Sequence, residues 1–329
     1  MTASAPRELS PHPPFPNMIR PASETDAAIT LRNVEKRFGN TRAVAGLDLV
    51  VPRGSLCGFL GPNGAGKSTT IRMIMSIIYP DSGSVRVLDD TALANKDRIG
   101  YLPEERGLYR TMKVGEFLIY LGKLKGLSGA AAHRNAGEWL ERIDLRGIAK
   151  KKCQELSKGM QQKVQFIASV IHEPDLLILD EPFSGLDPVN VETLLEVIAE
   201  LKKKGKTIIF STHLMETAER LCDDIILINK SRKVLGGKLR EVKESFGKNL
   251  IALRCSGGEK ILEDKSLIEK VTEHADEKEL VLAPNADTQI LLKKLIENGA
   301  VISKFEQIEP SLNDIFIEQV KEKNDKTNS

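Results

Sequence analysis

The chain has 329 residues, 41% of them hydrophobic and 29% charged, which is the balance of a folded globular protein long enough for two domains with separate cores. Lysine plus arginine total 48 against 46 for aspartate plus glutamate, so no charge surplus points to nucleic acid, and no nucleic-acid partner is expected. No run approaches the roughly 20 apolar residues that cross a bilayer, which directs the reading away from a membrane-spanning chain.

Residues 1–26 contain Pro6, Pro11, Pro13, Pro14, Pro16 and Pro21 and lack the basic-then-apolar order of a secretory signal. This stretch reads as a disordered tail. Residues 28–34 and 47–51 alternate as strands, and 55–60 is a short apolar run of the kind buried on both faces of a sheet. A glycine-rich loop, 61–68, follows and leads into an apolar helix expected over 69–78. Residues 114–122, 130–143 and 160–171 are periodic at helical spacing, a helical insertion over about 114–171. Then buried strands at 176–179 and 207–210 alternate with helices at 189–203 and 214–221. The pattern as a whole is α/β over 27–240. From Gly247 the order becomes strand 250–255, helix around Leu267, strand 279–282, helix 288–298, strand 301–306 and helix 312–320. That is a small α+β domain over 247–320, with a polar, frayed tail at 321–329. The four cysteines, Cys57, Cys153, Cys222 and Cys255, lie dozens of residues apart, which suggests buried reduced thiols rather than disulfides or a metal pair.

Two segments carry chemistry. Gly61-Pro62-Asn63-Gly64-Ala65-Gly66-Lys67-Ser68, followed by Thr69, fits the phosphate-cradling pattern G-x-x-x-x-G-K-S/T. Its glycines let backbone N–H groups wrap a polyphosphate, Lys67 reaches the β- and γ-phosphates, and the Ser68 hydroxyl ligates Mg²⁺. Leu176-Leu177-Ile178-Leu179-Asp180-Glu181 delivers two carboxylates to a strand's C-terminal edge, where open α/β sheets bind ligands. There Asp180 is suited to hold Mg²⁺ and Glu181 to polarise an attacking water.

With these segments in order, the chain resembles the ATP-binding subunits of ABC transporters over about residues 29–239. Leu156-Ser157-Lys158-Gly159-Met160-Gln161-Gln162 resembles the family's signature motif, with Lys158 at a usual glycine and Met160 at a usual glutamine. The resemblance implies that Ser157 and Gly159 meet the γ-phosphate of ATP held by another subunit. It further implies that Asp187, in Ser184-Gly185-Leu186-Asp187, crosses the dimer interface, that His213 contacts the γ-phosphate and that Phe38 stacks on adenine. Glu104 stands where the family carries glutamine, as a further expected Mg²⁺ ligand, with Arg106 placed to offset its charge. His12, His133, His172 and His274 match nothing.

The implied fold is a P-loop NTPase of ABC type, a mixed sheet core plus a helical subdomain, with a small C-terminal α+β domain. The implied function is ATP hydrolysis by Glu181, His213 and Lys67 in a homodimer or heterodimer. It would power export of sodium or another small solute through integral-membrane permease subunits, from a cytoplasmic position on the inner face of the cell membrane. Residues 101–109 and 156–163 and the extra C-terminal domain look most like the sodium-efflux type. Two other readings stand beside it: a soluble ABC-type ATPase of translation or DNA repair, and a non-catalytic ATP-binding regulatory subunit. The first usually has tandem domains or a long coiled coil, and Lys67, Asp180, Glu181 and His213 speak against the second.

Overall fold

A computed structural model describes residues 26–105, 107–247, 250–273, 276–284 and 286–325. The tail expected over 1–26 therefore lies, but for Asp26, outside the described residues, as does Arg106. In chain order the elements begin with β1 (Ala27–Phe38), β2 (Thr41–Pro52), β3 (Leu56–Leu60), α1 (Lys67–Ile74), β4 (Ser82–Val87) and β5 (Ile99–Leu102). Three helices follow, α2 (Val114–Leu124), α3 (Gly129–Arg142) and α4 (Lys158–Val170). Then come β6 (Leu176–Asp180), α5 (Pro188–Lys203), β7 (Thr207–Thr212), α6 (Met215–Leu221), β8 (Asp224–Asn229), β9 (Arg232–Lys238) and α7 (Leu239–Phe246).

Strands β2-β1-β4 form an antiparallel sheet, and β5-β6-β7-β3-β8-β9 a mixed one, parallel except where β9 runs against β8. Side chains alternate across the central strands, and both faces are covered. Cys57, Phe59, Ile178, Ile209 and Ile226 point toward Ile29, Leu31, Leu49 and, from α1, Ile71 and Ile74. Leu56, Leu60, Leu177, Leu179, Ile208 and Phe210 point the other way, into a core shared with α2, α4, α5 and α6. This two-sided burial explains why these strands are short apolar runs rather than alternating ones.

The C-terminal part contains β10 (Leu250–Ser256), α8 (Glu259–Leu262), β11 (Ile268–Glu273), β12 (Lys278–Leu282), α9 (Thr288–Glu297), β13 (Val301–Gln307) and α10 (Leu312–Asp325). Its antiparallel sheet, in the order β11-β12-β10-β13, packs Ile251, Leu253, Leu280 and Leu282 against Leu291 and Leu295 of α9. The last helix leaves this module. Leu312 and Ile315, 2% and 1% exposed, enter the main core beside Met215 and Ala218 of α6.

Three expectations need correction. The helix after the glycine loop begins at Lys67 and ends at Ile74, because Ser76 adopts φ 55° and turns the chain. No helix surrounds Leu267; that residue is buried between α8 and β11, where its carbonyl accepts from Ala283 N–H at 2.9 Å and begins the pairing with β12. Of the tail expected to fray at 321–329, residues through Asp325 continue α10 as a helix, and 326–329 lie outside the described residues.

His172 is buried, and its Nε2 faces Ile99 O at 3.2 Å while Nδ1 meets no partner among the described residues. A carbonyl only accepts, so the proton sits on Nε2 and the ring is neutral. Burial pushes its pKa down from 6.5 to about 4. The unfolded chain then binds more protons than the folded one between these values, so stability falls as pH drops through that window. The loss at pH 5 should be about 2 kcal/mol, and His172→Gln, which can still donate to Ile99 O, should show a correspondingly flatter pH dependence in urea unfolding. For α10, Ile315→Ala should cost about 2–4 kcal/mol in the same assay, because it empties a filled core position.

Candidate functional site

Strand order dictates where the polar residues meet. The C-terminal ends of β5, β6, β7 and β3 are successive neighbours and lead respectively to Glu104, to Asp180 and Glu181, to Ser211 through His213, and to the loop 61–68. Residues far apart in sequence thus share one edge.

The loop's path demands glycine. Gly66 has φ 106°, and a Cβ there would lie 2.4 Å from Ala43 O; one at Gly61, at φ 153°, would lie 2.3 Å from Ile228 O. Backbone presses on the loop from β2 and β8, and Ser231 N–H donates to Ala65 O at 3.2 Å. Beneath it Lys67 is 5% exposed, and its Nζ meets Gly61 O at 2.8 Å, Pro62 O at 3.3 Å and Glu181 Oε1 at 3.4 Å. Two carbonyls accept hydrogen bonds from the ammonium, and the carboxylate pairs with its charge. His213 Nδ1 lies within reach of both Glu181 oxygens, 3.1 Å from Oε2 and 3.3 Å from Oε1. A carboxylate only accepts, so Nδ1 carries the proton.

Glu181 adopts φ 48°, the left-handed region, which costs a bulky side chain about 1–3 kcal/mol. Its amide donates to Ser211 Oγ at 3.0 Å, and that hydroxyl lies 2.5 Å from Asp180 Oδ1. Asp180 is 1% exposed; burial pushes its carboxyl pKa up, the hydrogen bonds from Ser211 and Ser68 oppose that, and the charges of Glu104 and Glu181 add to it.

Ser68 Oγ lies 3.2 Å from Glu104 Oε2 and 3.3 Å from Asp180 Oδ1. Adjacent oxygens of an octahedral Mg²⁺ shell sit about 3 Å apart, so this hydroxyl and two carboxylates fit a small hard cation. Among the described residues no three His, Cys, Asp or Glu side chains form a metal cluster, so the hydroxyl is needed to complete the set.

The remaining expected residues fall into three places. Asn63 and Gly64 are exposed at the loop's tip, while Pro62 and Thr69 are half-buried. Phe38, 52% exposed, ends β1 opposite Thr41, two residues before the Ala43 carbonyl that abuts Gly66, and Lys36 Nζ sits 5.6 Å from its ring centroid. Ser157, Gly159 and Asp187 line a separate cleft of about 590 Å³ with Lys163, Leu186 and Asn190, and none of residues 61–68 lines it. Ser157 and Asp187 cap α4 and α5, accepting from Met160 N–H at 3.2 Å and Asn190 N–H at 3.0 Å. Among the described residues, no hydrogen bond or ion pair joins this cleft's Ser157 or Gly159 to the phosphate loop.

Sequence reasoning missed Ser211, although a hydroxyl ending the apolar run of β7 was a visible signal. It also missed Gln162 and Gln165, whose amides reach Pro182 O at 3.1 Å and Glu105 O at 3.4 Å and tie α4 to both carboxylate-bearing segments.

The family model described as ABC transporter matches residues 44–184, and one described as ATP-binding protein DrrA1-3-like, C-terminal domain, matches 237–320. The chain is 46% identical over 295 residues to an uncharacterized ABC transporter ATP-binding protein of Bacillus subtilis (strain 168), covering 89% of this chain and 98% of that one. It is 33% identical to the daunorubicin/doxorubicin resistance ATP-binding protein of Streptomyces peucetius, covering 88% and 91%. Its fold superposes on the ATP-binding subunit of an ABC transporter with TM-score 0.62 at 32% identity, over 67% of this chain and 93% of that one. A dimeric bacterial ABC transporter cassette gives TM-score 0.60 at 26% identity, over 64% and 99%. With a phosphate loop, a carboxylate pair and a histidine assembled on one sheet edge, and relatives matched over nearly their whole length, the chain belongs to the ATP-binding, ATP-hydrolysing proteins of ABC transporters.

Proposed function

We propose that this chain hydrolyses ATP between two head-to-tail copies, or between itself and a second ATP-binding subunit, and that the cycle drives export through separate membrane permease subunits. The observation that carries the reading is Glu181 held between two nitrogens, Lys67 Nζ at 3.4 Å and His213 Nδ1 at 3.1 Å, directly beneath a phosphate-type loop.

In this reading Lys67 transfers its ammonium from Glu181 Oε1 to phosphate oxygens of the nucleotide, which frees that carboxylate oxygen to accept a proton from the attacking water. His213 Nδ1 stays nearer to Oε2 and so fixes the direction of the carboxylate. The backbone amides of 61–67 and the N-terminus of α1 receive the phosphate charge. Ser68, Asp180 and, as a further ligand, Glu104 hold Mg²⁺, which when bound neutralises charge on the β- and γ-phosphates. Phe38 offers a face for the base.

Ser157 and Gly159 serve a nucleotide on another copy, and Asp187 lies at the junction. Their separation from residues 61–68 supports this arrangement, as does the dimeric assembly named for one structural neighbour. Another neighbour, 25% identical with TM-score 0.60 over 64% of this chain and 99% of that one, is a cassette in a post-hydrolysis state bound to ADP and Pi. Export is supported by the daunorubicin/doxorubicin resistance relative and by a Nod factor export ATP-binding protein of Burkholderia lata, 39% identical over 67% of this chain and 73% of that one. A small solute, sodium included, is the proposed cargo class, and the sodium assignment rests on the resemblance of residues 101–109 and 156–163. The resemblance to ABC ATP-binding subunits assigns the permease to other chains and this one to the inner membrane face; no helix among the described residues is long and apolar enough to cross a membrane. We assign nucleotide handling to residues 27–240 and an accessory role to 247–320.

Glu181→Gln should retain ATP binding, lower kcat by at least about 100-fold and accumulate an ATP-bound dimer on gel filtration. Lys67→Ala should abolish nucleotide binding in a fluorescent-nucleotide titration. Glu181→Gln hydrolysing at the parent rate would remove the assigned base, and a chain that stays monomeric with ATP in the Glu181→Gln background would remove the two-copy site.

A further inference from the structure

We infer that Ser211 is a positioning residue for hydrolysis, its hydroxyl locking the backbone of Glu181 to the carboxylate of Asp180. The inference rests on the hydrolytic reading above and adds to it a residue that touches neither nucleotide nor attacking water.

Three observations carry it. Ser211 is fully buried at the end of β7, in register with Asp180 on β6. Glu181 stands one residue past β6 with φ 48°, so its amide has left the strand ladder, and the acceptor it finds is Ser211 Oγ at 3.0 Å. The same oxygen lies 2.5 Å from Asp180 Oδ1. Proton counting fixes the direction. The Glu181 amide must donate, Ser211 has one proton, and that proton therefore goes to Asp180. The chain Glu181 N–H to Ser211 O–H to Asp180 Oδ1 then pairs each donor with an acceptor, with Ser211 and Asp180 both buried.

Two consequences follow for the reaction. Asp180 Oδ1 is the oxygen that also faces Ser68 Oγ at 3.3 Å, so the hydroxyl of Ser211 sets how that carboxylate presents itself to a cation. The backbone of Glu181 is pinned in a conformation it would otherwise leave, and its carboxylate stays aimed between Lys67 and His213. Among the described residues the Ser211 hydroxyl bonds to Glu181 and Asp180 and not to residues 61–68, so nucleotide capture is left to Lys67 and the loop.

The test compares the full-length chain with Ser211→Ala, which removes donor and acceptor together, and Ser211→Thr, which keeps both. Steady-state hydrolysis gives kcat and KM for ATP, and electron paramagnetic resonance of Mn²⁺ titrated with a non-hydrolysable ATP analogue gives cation affinity independently of turnover. Loss of a group that orients a metal ligand typically costs about 10–100-fold in affinity or activity. Ser211→Ala should lose at least about tenfold in kcat, hold KM for ATP within about threefold, and weaken Mn²⁺ binding at least about fivefold, with Ser211→Thr restoring both. Parent kcat and Mn²⁺ affinity in Ser211→Ala would overturn the inference. So would a kcat loss shared equally by Ser211→Thr with Mn²⁺ binding unchanged, which would mean packing alone. Should Ser211→Ala fail to fold, Ser211→Cys keeps the volume while weakening both hydrogen bonds and is read by the same outcomes. A parent chain that neither binds nor hydrolyses ATP would remove the proposed function itself, whereas an active parent with an unaffected Ser211→Ala removes this inference alone.

Discussion

A lysine and two carboxylates buried at one end of a sheet are expensive, since each ion loses several kcal/mol of hydration and stripping any one of its partner costs about 3–5 kcal/mol more. Lys67, Asp180 and Glu181 are 5%, 1% and 8% exposed, so everything around them is arranged to keep them paired. The ammonium donates to two carbonyls and pairs with Glu181, both Glu181 oxygens face a nitrogen, and Asp180 Oδ1 faces two hydroxyls. Such a cluster is reached only if four strand ends are neighbours, which the order β5-β6-β7-β3 supplies and the sequence order of the strands does not. The parallel arrangement in turn requires helices on the crossovers and apolar residues on both faces of each strand.

The same cluster gathers three constrained backbone positions. Glu181 in the left-handed region and Gly66 and Gly61 pressed against the carbonyls of Ala43 and Ile228 all lie within this loop-and-strand-end layer. Helix α4 braces it from the side, with Gln162 and Gln165 holding the backbone at Pro182 and Glu105. A rigid layer suits a site that must hold a carboxylate, a histidine and a phosphate loop in fixed relation, because misplacement of reacting groups by about 1 Å can cost 100-fold in rate.

Much of this was legible because its signals are local. The loop 61–68 announces itself by glycine spacing, and strands such as Leu176–Asp180 by an unbroken apolar run that ends in carboxylates. What stayed hidden depends on partners. β9, with Gly236 and Gly237 and half-buried side chains, is a strand because β8 offers it an edge, and β11 because β12 does. The pair Leu267 and Ile268 has no period of its own, and its fate as loop and strand is decided by the cover of α9 and β12. Ser211 illustrates the limit at the site: its residue type was visible, but that its hydroxyl would lie between Asp180 and the Glu181 amide follows from the register of β6 with β7.

That dependence on tertiary partners extends to the C-terminal module, which is not a loose appendage. α6 begins two residues after His213, and its Met215 and Ala218 share a core with Leu312 and Ile315 of α10. Lys243 of α7 joins the same junction, its Nζ 2.9 Å from Glu219 Oε1 on α6 and 3.3 Å from Glu309 Oε2 just before α10. A close-packed contact transmits displacement instead of absorbing it. α10 packs against both α6 and α7, and α6 follows directly on the short segment that places His213 against Glu181. One helix of seven residues, α6, thus touches both the C-terminal module and the segment that carries His213.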